Sequence, residues 1–237
     1  MTTTTTMKTP ATVFELRNYT LHPGQRDTLI ALFEREFIKA QQDCGITLPG
    51  LFTDMDRPEH FVWLRGFADM AARPAALEAF YFGPVWQAHR ETANATMVDS
   101  DNVLLLRPLC TDAPPAPGTR AGRLFLVVDC RLADGVGEQQ AMALLEDAIT
   151  AHLDADILGR WITDPTPNNF PRLPVREGER HAVCLLRLPR DLEPAGRAAL
   201  VAALAPWAEP QLLRLQPTAR SALQLDPAAV RAQVEAA

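Results

Sequence analysis

A chain of 237 residues with 47% hydrophobic and 22% charged content is ordinary globular material, long enough for one large core or two small ones. A formal net charge of −6 and the lack of any basic run argue against nucleic acid or an anionic membrane as the main partner. The longest apolar stretches, such as 124–128, have strand length and fall far short of the roughly 20 residues a membrane span needs, so a soluble protein is expected.

The opening residues 1–7 have neither the apolar core of a secretory signal nor the arginines of a transit peptide. They read as a frayed tail, which makes the cytoplasm the expected location. Cys44, Cys110, Cys130 and Cys184 occur singly, with no C-x-x-C and no histidine at ligand spacing, so neither a disulfide nor a zinc site is expected.

Val13-Phe14-Glu15-Leu16-Arg17-Asn18-Tyr19 alternates strictly and predicts a half-buried strand. After the turn His22-Pro23-Gly24, apolar Leu29, Ile30, Phe33 and Phe37 recur at helical spacing from Pro23 until Gly45, which is placed to cap the helix in a left-handed conformation. Residues 46–55 and 61–67 read as strands of a hairpin around Asp56-Arg57-Pro58-Glu59. Alanine-rich 73–82 and 85–97 predict two helices broken at Gly83-Pro84, and 103–107 closes the unit as a strand.

Proline-rich 113–118 favours extended geometry and marks a boundary between units at 12–110 and 121–237. The second unit repeats the order: strand 123–132, helix 138–153, a weak strand near 157–162, a long loop 163–174 with four prolines, strand 181–188, helix 194–204 and strand 211–216. Its closing Leu212-Leu213-Arg214-Leu215-Gln216-Pro217 nearly repeats the first unit's Val103-Leu104-Leu105-Leu106-Arg107-Pro108. Asp226 before Pro227 predicts a short terminal helix.

Glu15-Leu16-Arg17-Asn18-Tyr19 with Pro23-Gly24, then Gly50-Leu51-Phe52, Phe61-Val62-Trp63-Leu64-Arg65-Gly66-Phe67 and Phe80-Tyr81 with Gly83-Pro84-Val85-Trp86, resemble the NIPSNAP family over residues 12–108. The resemblance implies a dimeric alpha-beta barrel, in which ferredoxin-like units pack sheet against sheet, between two chains or two halves of one. It implies little about activity. The second half lacks these motifs and keeps only their element order.

The expected fold is therefore α+β: tandem ferredoxin-like units forming a pseudo-dimeric barrel within one chain. Alternation puts Glu15, Arg17 and Tyr19 on one strand face and Phe61, Trp63, Arg65 and Phe67 on one face of the hairpin strand. Val62, Leu64 and Gly66 are small and apolar and suit a helix layer, which sends the charged and aromatic set towards the partner sheet. An inter-sheet cavity lined by Glu15, Arg17, Tyr19, Trp63, Arg65 and Phe67 would offer charge-assisted donors and a flat apolar wall to a small aromatic or anionic ligand. Structural pairing of Glu15 with Arg17 or Arg65 fits the same residues.

Trp86, His89, Arg90 and Asn94 are spaced to share a helix face, and His89 has the intrinsic chemistry of a general base or of a plain surface histidine. No phosphate loop, nucleophile elbow or metal-ligand spacing is present. Two functions follow. One is binding, with cofactor-free monooxygenase- or isomerase-like turnover through Tyr19 or His89; the other is a non-catalytic interaction or stress-related adaptor. No cofactor is expected, haem being the minor alternative by fold analogy. A small-molecule ligand and a further homodimer are the expected partners, with no metal, nucleic acid or membrane span.

Overall fold

The computed structural model describes residues 10–109, 118–120 and 122–226. The tail at 1–7, Cys110, all but the last residue of the proline-rich boundary and the helix expected after Asp226 lie outside the described residues.

The first half runs β1 (Val13–Leu21), α1 (Arg26–Leu32), a π-helical turn (Phe33–Phe37), α2 (Ile38–Asp43), β2 (Thr47–Asp54), β3 (His60–Phe67), α3 (Ala72–Tyr81), α4 (Pro84–Asn94), the short β4 (Met97–Asp99) and β5 (Val103–Pro108). The second runs β6 (Gly118–Arg120), β7 (Leu124–Leu132), α5 (Glu138–His152), β8 (Asp156–Thr163), β9 (His181–Leu188), α6 (Pro194–Leu204), β10 (Ala208–Pro217) and β11 (Leu223–Leu225). The first helical rod starts at Arg26 rather than Pro23, because Gly24 turns through φ +73° just ahead of it. Gly45, at φ +85°, ends the rod in the left-handed conformation expected of it.

Strand order β3-β2-β10-β7-β9-β8-β5-β1, closed by β1 pairing with β3, makes an antiparallel barrel of eight strands with β4 as a side strand. The order β5-β1-β3-β2 in the first half recurs as β10-β7-β9-β8 in the second. Register recurs too: Glu15 opposes Arg65 and Arg17 opposes Trp63, as Leu126 opposes Leu186 and Val128 opposes Cys184. The halves are stitched by β2 against β10 and β5 against β8, so β8, weak in sequence, is a full strand held from both sides.

Alternation separates two environments. Phe14, Leu16, Val62, Leu64, Leu104 and Leu106 meet Phe125, Val127, Trp161, Val183, Leu185, Leu213 and Leu215 in one cluster fed by both halves, which fills the barrel. Gly50 and Gly159, each at a bulge, let the rings of Phe52 and Trp161 fold back into this space. A Cβ at either glycine would come within 2.3 Å and 1.9 Å of those rings. The other strand faces lie under helices, in one layer for each half.

This arrangement corrects the expected orientation. Glu15, Arg17, Tyr19, Trp63, Arg65 and Phe67 do share a face, but it is the helix-covered face, and apolar side chains occupy the space between the sheets in place of a polar-lined cavity. A barrel strand is covered on both sides, so small apolar residues do not mark the helix side. The narrow interior of a barrel of eight strands takes branched and aromatic side chains, whereas the guanidinium groups lie on the face where Glu15, Tyr19 and Tyr81 offer them oxygen partners. Among the described residues no helix is long and apolar enough to cross a membrane.

Candidate functional site in the helix layer of the first half

The rod over this sheet carries Leu29, Phe33, Phe37 and Gln41, spaced four apart. Residues four apart drift by about 40° on a straight α-helix; one wide π-helical turn takes back part of that drift and keeps the stripe on the sheet. Phe33 meets Trp63 edge-on at 4.9 Å between ring centres, and Phe37 meets Phe80 and Trp86 at 5.8 and 5.4 Å.

Beside these rings, Glu15 is fully buried and is the shared partner of three arginines. Arg17 Nη1 donates to its Oε2 at 2.5 Å, Arg65 Nε to the same oxygen at 2.8 Å, and Arg73 Nε to Oε1 at 2.8 Å. One further donor of each arginine reaches neutral oxygens: Arg17 Nε the Tyr19 hydroxyl at 2.8 Å, Arg65 Nη1 that of Tyr81 at 3.3 Å, and Arg73 Nη1 the side-chain carbonyls of Asn168 and Asn169 at 3.0 and 2.8 Å. Arg65 also lies over the Trp63 and Phe67 rings, at 5.3 and 5.5 Å. Burial alone would raise the Glu15 carboxyl, but the guanidinium groups of Arg65, Arg17 and Arg73 outweigh it and hold it at about 2. Burial lowers the Arg73 guanidinium, only partly offset by Glu15, and pushes the Tyr19 phenol up to about 12, against the pull of Arg17. Three cations around one carboxylate leave the cluster formally positive, an arrangement that favours an anion nearby.

The two phenols held by Arg17 and Arg65 border a cavity of about 30 Å³, lined also by Phe33, Phe37, Gln41, Trp63, Phe80 and Trp86. Gln41 is 1% exposed and Trp63 2%. Among the described residues, neither the Gln41 amide nitrogen and oxygen nor the Trp63 indole N–H has a hydrogen-bond partner. Unpaired buried polar groups are rare in native proteins, and a water, an ion or a ligand is among the things that satisfy them. The volume suits a water or two; it has no room for a haem macrocycle, and no imidazole or thiolate lines it.

The structure thus gathers Glu15, Arg17, Tyr19, Trp63, Arg65 and Phe67, and sends His89 elsewhere. His89 Nε2 lies 3.7 Å from Glu36 Oε2, about one-third exposed, with its ring against Phe37, which Trp86 also meets; Trp86, Arg90 and Asn94 line an outer depression that does not include His89. Sequence reading missed Arg73, Gln41, Tyr81, Asn168 and Asn169. Two carried a visible signal: Gln41 continues the apolar stripe of Leu29, Phe33 and Phe37, and Arg73 opens the stripe Arg73, Leu77 and Phe80.

Residues 14–111 match the NIPSNAP family. Among solved structures, a NIPSNAP-like domain protein from Burkholderia xenovorans is 27% identical over 45% of this chain and 92% of its own, with a TM-score of 0.40. A candidate monooxygenase from Lactobacillus acidophilus is similar in fold at 13% identity and a TM-score of 0.52, covering 87% of this chain and 94% of its own. A second candidate monooxygenase, from Fusobacterium nucleatum, gives 6% identity, the same TM-score of 0.52, and coverage of 88% and 93%. No curated protein matches the chain.

Proposed function

With residues 14–111 a NIPSNAP domain, we propose that this protein binds a small anionic or aromatic metabolite in the helix layer of its first half. The observation that carries the reading is the unpaired, fully buried Gln41 amide on a cavity whose two phenols are held by the guanidinium groups of a net-positive cluster. As it stands the cavity takes only a small polar group; a ring enters when Tyr81 and Trp86, which close one side, move aside.

Roles follow from chemistry. Tyr19 keeps its proton at neutral pH, since its phenol is pushed up to about 12, and accepts from Arg17 while its own O–H remains a donor towards a ligand oxygen. Arg17 and Arg65 do not line the cavity; they favour negative charge on that ligand through the Tyr19 and Tyr81 hydroxyls they hold and through their own charge, which burial strengthens. Turnover of the cofactor-free monooxygenase or isomerase type is a reading from fold analogy with the two candidate monooxygenases. On the same basis the two halves are tandem ferredoxin-like units, fused where a dimeric barrel would use two chains.

A Trp86→Phe variant leaves Trp63 as the tryptophan on the cavity. Its emission is expected to shift saturably with members of a panel of phenols, quinols and aromatic acids, and the response to vanish on adding Gln41→Leu or Arg65→Met. Silence across the panel would overturn the reading and leave the adaptor function in its place.

A further inference from the structure

Outside the cavity lies an open depression of about 470 Å³, between α4 and the segment that joins β8 to β9. Its volume is within the range of ordinary ligand sites. One wall comes from the first half, with Tyr81, Phe82 and Trp86 at the α3–α4 corner and Arg90 farther along α4; the other comes from the second half, with Phe170 and Arg172.

The segment from the second half is seated there by specific bonds. Asn168 and Asn169 accept from Arg73, the Asn169 side-chain N–H donates to the Met70 carbonyl at 2.6 Å, and Phe170, 6% exposed, stacks on Tyr81 at 6.4 Å. The long loop 163–174 of the second half therefore forms one wall of a groove on the first half. The rings of Tyr81, Phe82, Trp86 and Phe170 give it an apolar aromatic lining, with Trp86 set edge-on to Tyr81 at 77°. Arg172 lies over Phe82, its guanidinium carbon 4.9 Å from the ring centre. No acidic residue lines the groove, and neither Arg90 nor Arg172 pairs with a carboxylate among the described residues. Aromatic faces between two unpaired cations suit one class of ligand: a planar ring bearing a carboxylate.

We infer that this groove is a built site for planar aromatic carboxylates, with the ring against Trp86 and Phe170 and the carboxylate between Arg90 and Arg172. Tyr81 and Trp86 line both the groove and the inner cavity, their rings 4.9 Å apart. The groove is the place from which a ligand reaches the cavity, and that last step rests on the function proposed above.

Calorimetric titration of the full chain with 2-naphthoate tests the inference, with 2-naphthylmethanol as the neutral control. The wild type is expected to bind the acid and to bind the alcohol about tenfold more weakly, the size of one charge-assisted bond. Arg90→Gln with Arg172→Gln, both at exposed positions, should keep the melting temperature and lose that about tenfold preference. Gln41→Leu should leave groove affinity unchanged while abolishing the Trp63 response in the Trp86→Phe background. Failure of the acid to bind the wild type, or equal binding by the double arginine variant, overturns the groove site. Loss of acid binding in Gln41→Leu with retention in the double variant also overturns it while upholding the inner cavity.

Discussion

The two helix layers of this barrel are built on the same strand order and the same register, and differ in what fills them. Glu15, Arg17 and Tyr19 on β1 stand where β7 has Leu126, Val128 and Cys130; Trp63, Arg65 and Phe67 on β3 stand where β9 has Cys184, Leu186 and Leu188. The second layer is closed by Met142, Leu145, Ile149, Leu200 and Leu204, and the buried charged residues described on the second half's strands, Asp129, His181 and Arg187, alternate onto the opposite face with Val127, Val183 and Leu185. The fold therefore does not require the first layer's charges, because the same chain builds the same layer without them. Buried ion pairs are weak sources of stability compared with well-packed aliphatics, so their presence on one side only points to a job other than holding the barrel together.

The largest expected effect comes from breaking the cluster unevenly. Glu15→Leu leaves three buried guanidinium groups with no carboxylate and should cost about 3–5 kcal/mol in urea unfolding. Converting the whole set to second-half character, with Glu15→Leu, Arg17→Val, Arg65→Leu and Arg73→Leu together, should recover most of that loss and abolish the Trp63 response to ligand. If the fourfold variant is as unstable as Glu15→Leu alone, the charges are structural after all.

Acid should separate the layers next. The Glu15 carboxyl falls from an ordinary 4.5 to about 2 in the folded protein. Because the folded value is the lower one, its contribution is complete above about 4.5 and is lost as pH falls from there through 2. A difference of this size is worth roughly 3 kcal/mol. Unfolding free energy measured between pH 6 and 2 should therefore drop more steeply in the wild type than in the fourfold variant. Parallel curves would assign the acid sensitivity to other groups.

A smaller pair of changes should have opposite signs in the two layers. Gln41→Leu removes an unpaired buried amide and should stabilise by about 1 kcal/mol, while removing the ligand response. Met142 packs on Cys184, the counterpart of Trp63, with the sulfurs 3.7 Å apart. Met142→Gln puts an amide into an apolar layer and should cost about 1–3 kcal/mol. Destabilisation by Gln41→Leu would mean that its amide is paired in solution.

How much of this was legible depends on what alternation can and cannot carry. Period two placed Glu15, Arg17, Tyr19, Trp63 and Arg65 together, because cross-strand neighbours on one face follow from register alone. It could not say which face, since in a closed barrel both faces are buried and Val62 and Leu64 look equally apolar inside or out. Gln41 and Arg73 were readable as polar interruptions of helical stripes. Asn168 and Asn169 were not, because their role depends on a loop from the second half reaching Arg73 across the barrel seam, a contact between residues 95 and 96 positions apart. β8 reads as weak beside the long loop with four prolines that follows it; within it, Gly159 leaves room for the Trp161 ring.

The smallest effect is expected at His89, and it separates the site from its surroundings. Its imidazole meets Glu36 at 3.7 Å with both side chains about one-third exposed, and such a pair contributes between zero and 1 kcal/mol. His89→Ala should shift stability by about 0.5 kcal/mol or less and leave both the Trp63 response and naphthoate binding as they are in the wild type. A histidine acting as base on a ligand in the aromatic cavity would have to cross the Phe37 ring, which packs between it and Phe80. If His89→Ala removes a turnover that Tyr19→Phe leaves intact, the reactive atoms lie on the outer side of that ring, and the charged layer beneath serves only to bind.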